Sequence, residues 1–275
     1  MVSARSAPLW VKRLKTLKGL AEFRQTGGNS MSTSEQATKR PQTVSLADEE
    51  GVKQVLVGAV LGLWEVVNNL TRLRPSKQER YRVTIFGSAR AQQGSWVYNE
   101  VKHVASALAE MGCDIVTGGC PGLMQAANEG AREVNAPERN RSVGIRVDLP
   151  FEQDVNPFVQ QAFEHQTFFT RLHHFVLASD AFVAVPGGIG TVLEAMLIWQ
   201  LLQVRHVHDA PLIFVGKMWA DLVEWARKHL LDPRLTLASP EDLAIPHCLS
   251  TADEAIALIR EHHGRWLKRG PSSPR

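Results

Sequence analysis

At 275 residues, 44% hydrophobic and 21% charged, the chain has the composition of an ordinary globular protein, long enough to bury a core without metal or disulfide support. Its net charge of +3 is unevenly placed: residues 1–30 carry six basic residues against Glu22, a net of +5, so the remaining 245 sum to −2. A near-neutral body excludes an electrostatic case for binding nucleic acid, and three scattered cysteines, Cys113, Cys120 and Cys248, exclude a disulfide framework.

Residues 1–50, rich in Ser, Thr, Gln, Lys and Arg, are expected to be a disordered basic and polar tail, with 10–23 able to form a short basic amphipathic helix. That segment lacks the continuous apolar stretch of a secretory signal, and the apolar run over 55–64 is about half of a bilayer span. Cytoplasm is therefore the expected compartment, with no membrane partner. Over 52–73, Val55, Leu56, Ala59, Val60, Leu63, Val66, Val67 and Leu70 recur at helical spacing, so 51–80 reads as a helix packed on the body followed by a linker.

From residue 82 the pattern alternates. Strands are expected at 82–86, 114–117, 143–147, 181–185 and 211–215, with a short one at 243–245. Helices are expected at 97–111, 124–134, 167–177, 191–203, 219–230 and 252–262. The stretch between the third strand and the 167–177 helix reads as irregular. This alternation predicts one α/β domain over 81–265, a doubly wound Rossmann-like parallel sheet with helices on both faces, and a disordered tail at 266–275. Ligands bind such sheets beyond the C-terminal strand ends, and turns at Gly87-Ser88, Gly118-Gly119 and Gly187-Gly188 all follow strands.

Two of these turns are glycine-rich and open helices: Gly118-Gly119-Cys120-Pro121-Gly122 and Pro186-Gly187-Gly188-Ile189-Gly190-Thr191. Backbone N–H groups approaching closely at a helix N-terminus suit a phosphate, and the Thr191 hydroxyl adds a donor. Neither turn has the G-x-G-x-x-G arrangement with its acidic partner or a Walker lysine, so a dinucleotide or nucleoside triphosphate is not expected. Glu194 reads either as a site carboxylate or as the partner of Thr191 in a capping box. Arg171, taken alone, reads first as a surface arginine. His173 and His174 point apart as helix neighbours, and His165, His206 and His208 lack a partner at metal spacing, so no metal site is expected.

The segment from Gly118 to Asn128 resembles the GGGPGxMEAAN stretch of the LOG family, cytokinin riboside 5′-monophosphate phosphoribohydrolases often labelled lysine decarboxylases. The segment from Pro186 to Glu194 matches that family's PGGxGTxxE signature at every fixed position. Phe86-Gly87-Ser88-Ala89-Arg90, Leu149-Pro150-Phe151-Glu152-Gln153 and Asn156-Pro157-Phe158 resemble its longer bacterial branch. The resemblance covers about 82–230 and implies a homodimeric, metal-independent hydrolase without cofactor. Its implied reaction cleaves AMP or an N6-modified AMP to free base and ribose 5-phosphate. The family's catalytic arginine and glutamate fall on Arg171 and Glu194. The implied substrate-binding residues are Gly87, Ser88, Gly118, Gly119, Gly187, Gly188, Gly190 and Thr191. Leu172, Leu193, Cys120 and Gln200 depart from the family's usual lysine, acidic residue, glycine and threonine. The alternative reading is a non-catalytic nucleotide sensor or cofactor carrier on the same fold.

Overall fold

The structure is a computed structural model that describes residue 45 and residues 47–70, 80–134, 141–147, 155–235 and 237–268. The basic segment 1–30, the helix expected over 10–23 and the 149–153 motif lie outside these residues. The chain divides into two compact units, Met1–Asn69 and Leu70–Arg275. The first contains helix α1, Glu49–Leu70, up to its last residue, as the apolar spacing predicts. Asp48 starts it by accepting the Gly51 N–H at 3.0 Å, and Glu49 and Glu50 complement the dipole of its first turn.

In the second unit the chain runs β1 (Arg82–Phe86), α2 (Trp96–Glu110), β2 (Asp114–Thr117), α3 (Leu123–Glu133), β3 (Ser142–Val147) and β4 (Gln161–His165). It continues through α4 (Phe168–Ala178), β5 (Ala181–Ala184), α5 (Ile189–Gln203), β6 (Leu212–Val215) and α6 (Lys217–Leu230), ending with α7 (Pro240–Leu243), β7 (Pro246–Leu249) and α8 (Ala252–Lys268). The seven strands are all parallel, in the order β4-β3-β2-β1-β5-β6-β7. The expected doubly wound α/β sheet is present. None of the described helices is long and apolar enough to cross a membrane.

Strands buried on both faces read as unbroken apolar runs, and β2 and β5 are buried at every position. Each face has its own core. On one, Val83, Ile85 and Ile115 pack with Tyr98, Val101 and Leu108 of α2, Leu123 and Ala127 of α3, and Ile256 and Ile259 of α8. On the other, Phe86, Phe182 and Phe214 pack with Phe175 of α4, Ile198 and Trp199 of α5, and Trp219 of α6.

Three expectations are corrected. The irregular stretch contains β4, an edge strand whose first four residues are exposed, so it lacks the apolar run that marks an inner strand. The short strand expected at 243–245 is not there: Ser239 and Asp242 form a capping box around Pro240 that starts α7, and the strand begins at Pro246. The last helix runs through Lys268, past the expected end at 262, because Ala255, Ile256, Ile259 and His263 keep its inner face buried.

Candidate functional site

Strand β1 pairs with β2 on one side and β5 on the other, and the sheet is wound outward in opposite directions from there. The crevice at such a switch point is where open α/β sheets take their ligands. The structure brings all three predicted turns to it: Gly87 and Ser88 after β1, Gly118 and Gly119 after β2, Gly187 and Gly188 after β5. Main-chain bonds tie them together. The Ser88 N–H donates to the Pro186 carbonyl at 3.1 Å, and the Ser88 carbonyl accepts the Leu123 N–H at 2.8 Å. Gly122, at φ +72°, passes so close to the Ser88 carbonyl that a Cβ would collide with it.

Two helices begin here without a side chain to cap them. The N-cap residues are Gly122 for α3 and Gly188 for α5, and neither start has a side-chain cap bond. Helices α2, α4 and α7 are capped by Ser95, Thr167 and Ser239. The first N–H groups of a helix have no intrahelical acceptor, so an uncapped glycine start offers them to an anion. At α5 these belong to Ile189, Gly190 and Thr191. The Gly187 N–H turns instead to the Met218 sulfur at 3.4 Å. Thr191 is buried, its hydroxyl packed against Gly187.

The capping-box reading of Thr191 and Glu194 is overturned, because the helix starts two residues earlier than expected and Thr191 is not its cap. Glu194 pairs with Arg171: Nη1 lies 3.3 Å from Oε1, and the two side chains are only 9% and 11% exposed. The surface reading of Arg171 is overturned with it. Its Nε donates to the Ile145 carbonyl at 2.9 Å, and the guanidinium carbon stands 5.3 Å from the Phe175 ring centre. Nη2 lies over Gly118, where an added Cβ would sit 2.5 Å from it and 2.7 Å from the Met124 sulfur. The first turn therefore has glycine at 118 because the arginine occupies the space of a side chain.

Sequence reasoning missed the polar network under the first turn. Asn128 is fully buried; its Oδ1 accepts the Thr117 hydroxyl at 2.7 Å and the Asn156 amide at 3.0 Å, and its Nδ2 donates to the Ser142 hydroxyl at 2.8 Å. The signal was an asparagine on the inward face of an alanine-rich helix, a position that otherwise takes apolar residues.

The histidines differ from expectation in one respect. His165 has a partner: its Nε2 lies 2.9 Å from Nδ1 of His174. Burial, then the charges of His165, Arg82 and His173, pushes His174 down to about 4, and burial followed by Arg171 lowers His165. Among the described residues no three His, Cys, Asp or Glu side chains cluster as a metal site. Of the departures from the family pattern, Leu172 and Cys120 are buried, Leu193 is half exposed, and Gln200 lies on the surface bonded to Gln203.

Residues 124–259 match the family model described as "possible lysine decarboxylase". No curated protein matches the chain in sequence. Among the solved structures that share its fold are two molybdenum cofactor proteins. The molybdenum cofactor carrier protein of Chlamydomonas reinhardtii is 17% identical, with TM-score 0.51, over 68% of this chain and 99% of that one. The molybdenum cofactor binding protein of Rippkaea orientalis is 19% identical, with TM-score 0.50, over 67% and 98%.

Proposed function

Because residues 124–259 carry the LOG-like domain of this family, we propose that the protein hydrolyses the N-glycosidic bond of a nucleoside 5′-monophosphate, AMP or an N6-modified AMP, releasing base and ribose 5-phosphate. The observation that carries the reading is the buried Arg171–Glu194 pair beside the uncapped start of α5. The phosphate docks on the N–H groups of Ile189, Gly190 and Thr191. That anchors the ribose with its anomeric carbon toward Glu194. As the bond to the base breaks, positive charge grows on the sugar, and the Glu194 carboxylate stabilises it in surroundings that water screens poorly. Arg171 holds that carboxylate in place and steadies the departing base or the phosphate. Water adds its hydroxyl to the anomeric carbon and its proton passes to the departing base nitrogen, so base and ribose 5-phosphate leave as separate products.

Lysine decarboxylation does not suit these residues. A pyridoxal-phosphate decarboxylase needs a lysine for its Schiff base. No lysine occurs between Lys102 and Lys217. Lys102 is held by Glu129 and Glu133, and Lys217 by Asp221.

A second reading, a carrier or sensor that binds without turnover, is favoured by Leu172 and Leu193, apolar where the family commonly has charge. One experiment separates the two: incubation of the purified protein with a panel of nucleoside monophosphates, followed by chromatography for free base and ribose 5-phosphate. Release of both supports the hydrolase. Saturable binding with no release replaces it by the carrier.

A further inference from the structure

We infer that Asn156 is a positioning residue of this site, acting on Arg171 through the first glycine turn. Asn156 is 3% exposed; it stands in the loop before β4 and reaches back under the turn. Its backbone N–H donates to the Gly119 carbonyl at 2.9 Å. Its Nδ2 shares two hydrogens among the Gly119 carbonyl at 3.1 Å, the Cys120 carbonyl at 3.2 Å and Asn128 Oδ1 at 3.0 Å. The Oδ1 atom accepts the Phe158 N–H at 3.2 Å, which fixes which way the amide faces.

Two consequences follow from peptide geometry. In a trans peptide the C=O and the next N–H point in opposite directions. With the Gly119 carbonyl drawn down to Asn156, the Cys120 N–H points up and away from the network. The Cys120 carbonyl is drawn down as well, and Pro121 has no N–H to offer. The Gly119 and Cys120 carbonyl oxygens are thus turned from the crevice, where they would repel a phosphate.

The second consequence concerns the arginine. Gly118, the residue before this anchored pair, is the floor on which the Arg171 guanidinium rests. From below, Thr117 Oγ1 accepts the Gly119 N–H at 2.9 Å, so the turn is held on both sides of Gly119. Without the Asn156 amide, the Cys120 carbonyl loses that donor while the Gly119 carbonyl keeps the backbone N–H of residue 156, so the turn is freer to rotate the Cys120 oxygen toward the guanidinium. That oxygen then competes with Glu194 for the guanidinium. Asn156 therefore sets Arg171 against Glu194 without touching either.

Its effect on turnover rests on the hydrolase reading, whereas its effect on Arg171 does not, and the test reads both. The full chain, labelled with 15N-arginine, gives an Arg171 Nε–H signal identified by its loss in Arg171→Lys. In Asn156→Ala that proton, now bonded to the Ile145 carbonyl, should exchange with solvent about tenfold faster while the protein unfolds cooperatively, as expected for a local loosening. With AMP, Asn156→Ala should lower kcat about tenfold in the wild-type background and less than about twofold in the Arg171→Ala background, because residues acting through one another are not additive. Asn156→Ser, a smaller loss of contacts, serves if the alanine variant does not fold. An unchanged exchange rate in the folded variant overturns the inference, as do losses that multiply across the two backgrounds. A wild-type protein that releases no base removes the hydrolase reading alone, and the exchange measurement still decides the role of Asn156.

Discussion

Arg171 Nη1 and Glu194 Oε1 lie 3.3 Å apart, on successive helices and in a place where both side chains are about nine-tenths buried. Breaking such a pair from one side leaves an uncompensated buried charge, which typically costs about 3–5 kcal/mol, whereas replacing both by apolar residues is often neutral. Arg171→Ala should therefore cut turnover severely and lower stability. The double variant Arg171→Met/Glu194→Leu should regain most of the melting temperature and none of the base release. A double variant as unstable as Arg171→Ala would show that the pair is needed for folding as such.

Glu194→Gln tests the charge alone. The amide keeps the shape and still accepts a bond from Arg171, so AMP should bind with similar affinity. Base release should fall by about a hundredfold or more, the usual worth of one electrostatic contact to a transition state. Calorimetric binding together with product chromatography reads both. Turnover within about threefold of wild type would remove Glu194 from the chemistry.

Gly118→Ala should act on the same pair from the other side. The new methyl would meet Arg171 Nη2 at 2.5 Å and the Met124 sulfur at 2.7 Å, so the arginine must move. Overpacking of this kind costs about 1–3 kcal/mol. The expected result is a folded protein with a lower melting temperature and severely reduced kcat. Full activity would mean that the guanidinium has room to shift without consequence.

How the sequence discloses this site depends on what each residue's role requires of its neighbours. The glycine turns and Glu194 stand out because close backbone approach and fixed spacing leave a local pattern, whereas Arg171 reads as a surface residue until the family resemblance singles it out. The pairing of Arg171 with Glu194 does not, since it depends on where α5 starts, and Gly188 caps that helix where Thr191 looked the better candidate. The Asn128–Asn156 network joins a helix to a distant loop and leaves no periodic trace. The sheet itself was legible wherever strands are buried on both faces. Strand β4 was not, because an exposed edge strand needs no apolar run.

Acid should destabilise the protein through its histidine pair. His174 is pushed from 6.5 down to about 4 in the folded state, while the unfolded chain binds its proton at the ordinary value. The unfolded state therefore holds more protons between those two values, so stability is fully present above pH 6.5 and falls as pH drops toward 4. His165, lowered in the same direction, adds to the slope. Melting temperatures measured across this range should fall less steeply in His174→Phe, which keeps an aromatic ring against Phe163. Parallel curves for variant and wild type would show that other groups govern the acid transition.

The 5′-phosphate should be required: AMP cleaved, adenosine not. The groups that the second turn presents to a ligand are the N–H donors at the start of α5, which suit an anion and carry no information about a base. A dianion bound there holds the ribose so that its anomeric carbon faces Glu194. Without that anchor the sugar is free to shift, and a misplacement of about 1 Å can cost about a hundredfold in rate. The same reasoning predicts that ribose 5-phosphate competes with AMP and that free ribose does not. Steady-state kinetics on the four compounds decides the matter. Comparable kcat/KM for adenosine and AMP would reduce the second glycine turn to a structural corner, because a site that ignores the phosphate has no use for an uncapped helix start.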